Sequence, residues 1–222
     1  PYLVLAMFSS VFAKPQPDWP ANTILTGFAF YDDSDRKTEL TPELKHFLDS
    51  GEAPIVFTLG SAAVMTPGNF YQESIEAAKQ LNRRAVLLIG KNPPPENLPE
   101  DMIAVKYAPY CQIFPCACAI AHQGGIGTTA QALRAGCPML VMPYSHDQPD
   151  NAARVERLGT SRTIPRKQYS ASSVAKELGE LLTNPKYAAK AAEIGRMIQA
   201  ENGAIAACDA IEKQLEVVAS NR

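Results

Sequence analysis

From residue 54 onward, short apolar runs alternate with longer stretches in which apolar residues recur at helical spacing. The apolar runs have the length of strands buried on both faces, and the longer stretches are typical of amphipathic helices. Strands separated by helices predict a parallel sheet with right-handed crossovers and helices on both faces, which is an α/β fold. We expect a doubly wound sheet of about six strands. The strands are predicted at 55–59, 85–89, 102–105, 115–121, 139–142 and 160–164, and the helices at 69–81, 128–135, 150–158, 171–182, 186–200 and 204–219.

The first 53 residues lack this alternation and are predicted to form an edge and a linker. A proline-rich run removes backbone donors and fixes φ there, so it fits neither a helix nor a central strand. Short strands are expected at 2–8, as a strand that has lost its neighbours, and at 22–31. A short helix at 43–48 would take Thr41 as its N-cap, and the charged run at 32–37 favours a solvated loop.

A glycine-rich bend at 122–129 joins the fourth predicted strand to the next helix. This order of elements leaves unpaired backbone N–H groups at the helix N-terminus, where the helix dipole adds partial positive charge. The glycines let the backbone approach a ligand, and Thr128 and Thr129 offer hydroxyl donors. We interpret the bend as a cradle for a diphosphate. A tight connection without a ligand is the alternative, since the bend matches neither the P-loop nor the G-x-G-x-x-G pattern.

Polar or glycine-containing stretches follow four of the predicted strands, at 60–61, 107–109, 122–129 and 145–151. In a parallel sheet the carboxyl ends of the strands lie at one edge, and ligands bind in the crevice outside them. The topology therefore predicts that these four stretches share one rim and surround one ligand.

The composition narrows the classes of partner. The chain of 222 residues carries a net charge of −2, which gives no electrostatic basis for binding nucleic acid or an anionic membrane. No apolar stretch reaches the length of an integral membrane segment. Five cysteines, an odd number, argue against a disulfide framework, and the C-x₄-C-x-C spacing at 111–118 differs from that of zinc ligands. We therefore expect buried thiols, a cytoplasmic location, no metal site and no cofactor.

Several motifs keep their order and spacing through residues 107–160 in a pattern that resembles a known family. They are Tyr107-Ala108-Pro109-Tyr110, Phe114-Pro115, His122-Gln123-Gly124-Gly125-Ile126-Gly127-Thr128-Thr129, Arg134-Ala135-Gly136-Cys137-Pro138 and Asp147-Gln148-Pro149-Asp150-Asn151-Ala152. Together they resemble the donor-binding half of GT-B glycosyltransferases, and they look closest to bacterial and sterol-glucosyltransferase-like members of the UDP-glycosyltransferase superfamily. Pro17-Asp18-Trp19-Pro20 and Gly27-Phe28 resemble the segment that joins the two halves in sterol-type members. The resemblance implies a Rossmann-like GT-B C-terminal domain.

The resemblance also implies a role for each motif. The residues that would bind the diphosphate are Ser61, Gly124, Gly125, Gly127, Thr128 and Thr129. Gln131 falls where many members have a glutamate that contacts the ribose. Asp147 and Gln148 match the pair that reads the sugar hydroxyls, with a solvated loop as the alternative. Tyr107 matches the aromatic position that stacks on the nucleobase, although a ring that plugs the end of the sheet is an equal alternative.

One departure from the family concerns His122 and Gln123. Many relatives carry two histidines, or a histidine directly before Gly-Gly, and alignment back from Gln131 places the diphosphate-contacting histidine on Gln123. Either His122 turns inward and Gln123 supplies a neutral donor, or His122 itself reaches the phosphate. We favour Gln123 near the phosphate, which would forgo the charge assistance that roughly doubles the strength of a hydrogen bond.

The function implied by the resemblance is an inverting, metal-independent hexose transfer. The donor would be UDP-glucose, or a dTDP-sugar, and the acceptor a small lipophilic or natural-product molecule. The family's general base and acceptor site lie in the N-terminal half, and neither His46 nor His146 stands in the sequence context of that base. The chain is therefore expected to bind the donor without transferring it alone.

The expected divisions follow from this assignment. Residues 1–53 would be a linker and remnant of the N-terminal half, 54–203 the donor-binding domain, and 204–222 a helix that packs back towards the N-terminal half. A stand-alone donor-binding subunit that acts only with a separate acceptor-binding chain is the alternative. A GT-B sugar-nucleotide epimerase is a weaker one, which the Asp147-Gln148 context disfavours.

Overall fold

A computed structural model of the chain describes residues 2–31 and 39–220. Its strands are β1 (Val4–Ala6), β2 (Thr23–Leu25), β3 (Ile55–Thr58), β4 (Ala85–Leu88), β5 (Met102–Val105), β6 (Ala119–His122), β7 (Met139–Val141) and β8 (Ser161–Thr163). Its helices are α1 (Pro42–Asp49), α2 (Phe70–Gln80), α3 (Tyr110–Ile113), α4 (Ile126–Ala135), α5 (Gln148–Arg157), α6 (Ala171–Thr183), α7 (Pro185–Gln199) and α8 (Gly203–Ser220). The alternation of strands and helices predicted from residue 54 onward is confirmed.

Strands β3 to β8 form one six-stranded parallel sheet in the order β5-β4-β3-β6-β7-β8. The chain begins this sheet at β3, runs outward to β5, and returns to place β6 on the other side of β3. This order is that of doubly wound sheets, and it creates a topological switch point between β3 and β6. The predicted α/β fold with a sheet of about six parallel strands is therefore confirmed.

Helices cover both faces of the sheet. On one face, α2 and α6 pack over a core that includes Phe57, Leu87 and Leu140. On the other face, α1, α4, α5 and α7 pack over Val56 and Ile120. Strands β3 and β4 are buried at every position because both faces are covered, and this explains why their sequences are apolar without alternation.

The loop before β6 differs from its prediction. The strand predicted at 115–121 begins only at Ala119, because Phe114–Cys116 forms a 3₁₀ turn. Pro115 lacks an N–H group and has a fixed φ, so it cannot join the ladder with β3. The short helix α3, which starts directly after Pro109, was not predicted.

The N-terminal segment, residues 2–31, forms a sheet of its own. Strands β1 and β2 pair in parallel, with Val4 opposite Thr23, so the expectation of a strand without neighbours was wrong. Helix α1 begins as predicted, since the N–H of Leu44 donates to Thr41 Oγ1 at 3.3 Å. The charged run predicted to be a loop at 32–37 lies outside the described residues.

The N-terminal segment docks at the junction between α7 and α8. Ser9 Oγ donates a hydrogen bond to Glu201 Oε1 at 2.6 Å. Gly203 lies so close to the segment that a Cβ there would collide with the carbonyl oxygens of Phe28 and the residue before it. Phe12 and Phe28 join the core on the face of the sheet that α4 and α7 cover. Residues 2–31 are therefore packed into the same unit as the sheet.

Candidate functional site

A cavity of about 510 Å³ opens at the carboxyl ends of the strands, beside the switch point between β3 and β6. Residues that follow β3, β4 and β5 line it, together with the first two turns of α4. Five of the predicted site residues are among them, namely Ser61, Tyr107, Gly127, Thr128 and Gln131. The structure thus brings three of the four predicted stretches to one cavity, whereas no residue of 145–151 lines it.

A bend at Gly124 and Gly125 leads from β6 to the N-terminus of α4. Gly124 has φ of +85°, in the left-handed region that favours glycine, and a Cβ there would meet the side chain of Val141 at 2.9 Å. Gly125 is the N-cap, so no side chain caps the first-turn N–H groups of α4. Ile126 and Gly127 are exposed. The helix therefore presents uncapped N–H groups and the positive end of its dipole beside the cavity, as an anion site requires.

His122 and Gln123 lie in different environments. His122 is fully buried, and its Nδ1 accepts a hydrogen bond from the N–H of Gly124 at 3.0 Å. Burial lowers the pKa of His122 to about 3, so the ring is neutral near pH 7. Gln123 is also buried, but its amide nitrogen occupies the space that a Cβ on Gly60 or Gly125 would take. The amide of Gln123 thus lies between the loop after β3 and the bend, whereas His122 belongs to the core.

Tyr110 is a site residue that the sequence did not single out. Its hydroxyl is hydrogen bonded to Thr58 Oγ1 at 2.9 Å and to Thr128, and burial raises its pKa. The ring stacks on Phe114 with the ring centroids 4.3 Å apart. Tyr110 therefore ties the end of β3 to the first turn of α4 across the cavity. Its membership of the Tyr107–Tyr110 motif was the signal that could have found it.

Tyr107, Gln131 and Thr129 differ in what they offer a ligand. The side chain of Tyr107 is 66% exposed, whereas a ring that plugged the end of the sheet would be buried. Gln131 lines the cavity, and its Oε1 accepts a hydrogen bond from Arg134 Nη2 at 3.0 Å, so its amide hydrogens are the groups it can donate to a ligand. Thr129 is fully buried and does not line the cavity. Of the two predicted hydroxyls, only that of Thr128 is at the cavity.

The loop after β7 lies beside the bend. Asn151 Nδ2 donates to the carbonyl oxygen of Gly124 at 2.9 Å and to Asp147 Oδ2 at 2.8 Å. These contacts place the exposed Asp147 on the same side of the molecule as the bend, although it does not line the cavity. Asn151 is the second functional candidate that sequence reasoning missed as a site residue.

Gln148 holds the loop after β7 together. Its Oε1 accepts hydrogen bonds from the N–H groups of Tyr144 at 2.8 Å and Ser145 at 3.1 Å. The sequence led us to expect an amide that both accepts from and donates to a sugar diol. Because the oxygen is already engaged by the backbone, only the amide hydrogens of Gln148 can serve a ligand.

The titratable and sulfur-containing residues are dispersed. Within residues 2–31 and 39–220, no three His, Cys, Asp or Glu side chains gather as potential ligands of a metal ion. No helix in the described part of the chain is long and apolar enough to cross a membrane. The expectation of buried thiols holds for Cys137, whereas Cys116 is exposed because it ends the 3₁₀ turn before β6.

Sequence comparison assigns the chain to a family. Residues 73–212 match the family described as "Erythromycin biosynthesis protein CIII-like, C-terminal domain". The chain belongs to this glycosyltransferase family. Over 211 residues the glycosyltransferase domain is 37% identical to O-mycaminosyltylonolide 6-deoxyallosyltransferase of Streptomyces fradiae, covering 93% of this chain and 48% of that relative. Over 219 residues it is 32% identical to sterol 3-beta-glucosyltransferase of Yarrowia lipolytica, covering 93% of this chain and 15% of that relative.

Solved structures confirm the fold of this glycosyltransferase domain. It superposes on the glycosyltransferase of kitacinnamycin with a TM-score of 0.79 and 24% identity, covering 96% of this chain and 55% of that one. The glycosyltransferase VinC, solved in complex with dTDP, matches with a TM-score of 0.70 and 20% identity over 96% of this chain and 52% of that one. The predicted GT-B C-terminal fold is therefore confirmed. The domain spans about half the length of these structures.

Proposed function

We propose that this chain is the nucleotide-sugar binding half of an inverting glycosyltransferase. The observation that carries the proposal is the uncapped N-terminus of α4, which opens on a cavity of about 510 Å³ at the switch point of the sheet. The proposed donor is UDP-glucose, with a dTDP-sugar as the variant that the dTDP complex of VinC supports. The proposed acceptor is a small lipophilic or natural-product molecule, as the names of the macrolide and sterol relatives suggest.

Each part of the donor has candidate partners. The diphosphate would lie at the first turn of α4, within reach of Ser61, Gln123 and Thr128. The nucleobase would stack on the exposed ring of Tyr107, and the amide of Gln131 would contact the ribose. The residues proposed for the sugar hydroxyls are Asp147 as acceptor and Gln148 as donor.

The bend would also assist the chemistry. Negative charge develops on the diphosphate as the bond to the anomeric carbon breaks. N–H groups aimed at that position stabilise the charge without reorganisation, and the dipole of α4 adds to them. We infer that this replaces a metal ion at the leaving group. The base that activates the acceptor is proposed to lie in an N-terminal half, so this chain alone would bind the donor without transferring the sugar.

The proposed divisions of the chain fit this role. Residues 54–203 would hold the donor, and the helix from 204 onward would pack against the acceptor half, with 1–53 as the connection. A stand-alone subunit gains no support from the comparisons, because the matched region lies within a longer chain in each relative. A reducing cytoplasm suits the five unpaired cysteines.

Titration calorimetry with UDP and UDP-glucose tests the proposal, using Gly127→Val as the decisive variant. A Cβ at Gly127 meets no atom within 4 Å, so the added side chain would occupy only the space proposed for the diphosphate. We expect the affinity for UDP to fall at least about tenfold, because the helix N–H groups are then covered. Far-UV circular dichroism should show an intact fold.

The matched control is Ser172→Val, which adds the same side chain at the equivalent exposed position in the first turn of α6. It should leave the affinity for UDP unchanged. Equal affinity of Gly127→Val and the wild-type chain would contradict the proposed site. A wild-type chain that binds none of UDP, UDP-glucose and dTDP would contradict the proposed function.

A further inference from the structure

Buried hydrogen bonds hold both backbone polar groups of Gly124. Its N–H donates to Nδ1 of the fully buried His122 at 3.0 Å, and its carbonyl oxygen accepts from Asn151 Nδ2 at 2.9 Å. The same Asn151 nitrogen donates to Asp147 Oδ2 at 2.8 Å. A continuous chain of hydrogen bonds therefore runs from the end of β6, through the bend, to a carboxylate on the loop after β7.

The two side-chain contacts of Asn151 require an amide group. One nitrogen supplies two hydrogens, of which one reaches a backbone carbonyl and the other a carboxylate, so a hydroxyl could satisfy only one of them. Asn151 is 5% exposed, and water cannot easily replace either contact. Its own position is fixed because its backbone N–H donates to the carbonyl of Asp147 at 2.9 Å in the first turn of α5.

The Asp147 side chain, in contrast, is exposed, and a carboxylate on the surface samples several rotamers unless a partner selects one. The hydrogen bond from a buried amide is charge-assisted and selects one orientation. The orientation of the carboxylate is thereby tied to the position of Gly124.

We propose that Asn151 is a positioning residue that couples the diphosphate bend to Asp147, so that one buried amide sets the geometry for both the diphosphate and the sugar. This inference rests on the proposed function of the site. It assigns Asn151 no contact with the donor. Its effect reaches the donor through Gly124 on one side and through Asp147 on the other.

A double-mutant cycle on donor affinity tests the coupling. The quantity to compare is the preference for UDP-glucose over UDP, measured by calorimetry on the wild-type chain, Asn151→Ala, Asp147→Ala and the double variant. Each single variant should lower this preference about tenfold, because the carboxylate is either absent or no longer oriented. In the double variant the preference should fall no further. Asn151→Ala should in addition lower the affinity for UDP itself, because the bend loses a hydrogen bond. Asp147→Ala should leave the affinity for UDP unchanged.

A general structural role for Asn151 would give a different result. In that case Asn151→Ala would lower the affinities for UDP and UDP-glucose equally, or its effect on the preference would add to that of Asp147→Ala. Either outcome would overturn the inference. The control is Asp150→Ala, which removes an exposed i,i+4 ion pair with Arg154 from the same helix. The control should leave the preference unchanged.

A second measurement needs no ligand. In NMR spectra of the free chain, the two side-chain amide protons of Asn151 should exchange with water at least about tenfold more slowly than those of the exposed Asn97. The Asp147→Ala variant should accelerate the exchange of one of them. Exchange as fast as that of Asn97 would overturn the inference. Failure of the wild-type chain to bind either nucleotide would overturn the proposed function. The exchange data would then still show whether the side-chain amide of Asn151 makes its two hydrogen bonds.

Discussion

His122 helps to set the shape of the bend by accepting a backbone hydrogen bond within the core. The ring is neutral, and its Nδ1 acts as an acceptor for the backbone N–H of Gly124 at 3.0 Å. A protonated ring would lose this acceptor and would place a charge in the core, so the folded chain excludes the proton. The proposed diphosphate site would thus depend on a side chain that lies in the core.

The pH dependence of stability follows from the pKa of His122. The folded-state pKa of about 3 lies below the ordinary value of 6.5, so between these values the unfolded chain binds the additional proton. The stabilisation is fully present above pH 6.5 and decreases as the pH falls towards 3. We expect His122→Asn, which keeps an acceptor and cannot titrate, to reduce the pH dependence of the unfolding free energy by up to about 1.4 kcal/mol per pH unit.

Urea unfolding between pH 4 and pH 7 measures this difference. His46→Asn is the control for the loss of one histidine, because His46 is exposed on α1 and lies outside the core. Identical slopes for the wild-type chain and His122→Asn would show that the buried ring does not resist protonation.

The sequence indicated only some of the residues that line the cavity or hold the segments around it. Ser61, Tyr107, Gly127, Thr128 and Gln131 could be predicted, because a motif or the end of a strand marks each of them. Tyr110 and Asn151 act through hydrogen bonds to segments that lie far away along the chain, and no local pattern reveals such partners. The hydrogen bonds from the backbone of the loop to the Gln148 oxygen could not be predicted either, because they depend on the conformation of that loop.

Helices α4 and α7 pack so closely that glycine is required where they meet. Gly195 lies in α7, and a Cβ there would lie 2.8 Å from the Cα of Gly136 and 3.2 Å from the carbonyl oxygen of Leu133. Gly136 is the left-handed C-cap of α4, with φ of 68°. The C-terminal end of α4, the helix proposed to bind the diphosphate, is therefore fixed by backbone contact with α7.

Two helical glycines make a matched test of this contact. Gly195→Ala should lower the free energy of unfolding by about 2 kcal/mol, because the new methyl group collides with backbone atoms that cannot move aside. Gly179→Ala, in α6, should raise it by about 0.5–1 kcal/mol, since the nearest atom to that Cβ is Leu81 Cδ2 at 3.6 Å. Urea denaturation of both variants provides the values. A destabilisation of similar size in both would show that the close contact is not the cause.

Periodicity predicted the long elements well and the short ones poorly. Helices α6, α7 and α8 begin and end within one residue of their predicted limits, because their apolar spacing continues over several turns. Helix α3 has four residues, which is too few to show a period. The parallel partner of β1 was missed because pairing between distant strands leaves no periodic signal in either of them.

At the scale of the whole molecule, the N-terminal segment is joined to the sheet by aromatic packing and by Gly203. The ring centroids of Trp19 and Phe8 lie 5.9 Å apart, and those of Phe8 and Phe12 lie 6.3 Å apart. Phe12 in turn packs on Phe28, beside the main-chain atoms that approach Gly203. Trp19 is the single tryptophan of the chain, so its fluorescence reports on this segment.

Gly203→Ala should detach this segment before the sheet unfolds. A methyl group at Gly203 collides with two backbone carbonyls, so the segment must move away. In the wild-type chain, the urea transitions seen by tryptophan fluorescence and by far-UV circular dichroism should coincide. In Gly203→Ala the fluorescence transition should shift to lower urea and precede the other. The control is Ala204→Ser, at the neighbouring exposed position, which should shift neither transition. If the two transitions coincide in Gly203→Ala, the N-terminal segment does not unfold separately from the sheet.

The engaged oxygen of Gln148 makes this position suitable for redesign. A glutamate has nearly the same shape, and one of its oxygens could retain the hydrogen bonds to the N–H groups of Tyr144 and Ser145. The other oxygen would replace the amide nitrogen and turn a donor into an acceptor. A one-residue exchange would thus invert the polarity at the proposed sugar site while the surrounding backbone keeps its conformation, which makes position 148 a starting point for engineering donor selectivity.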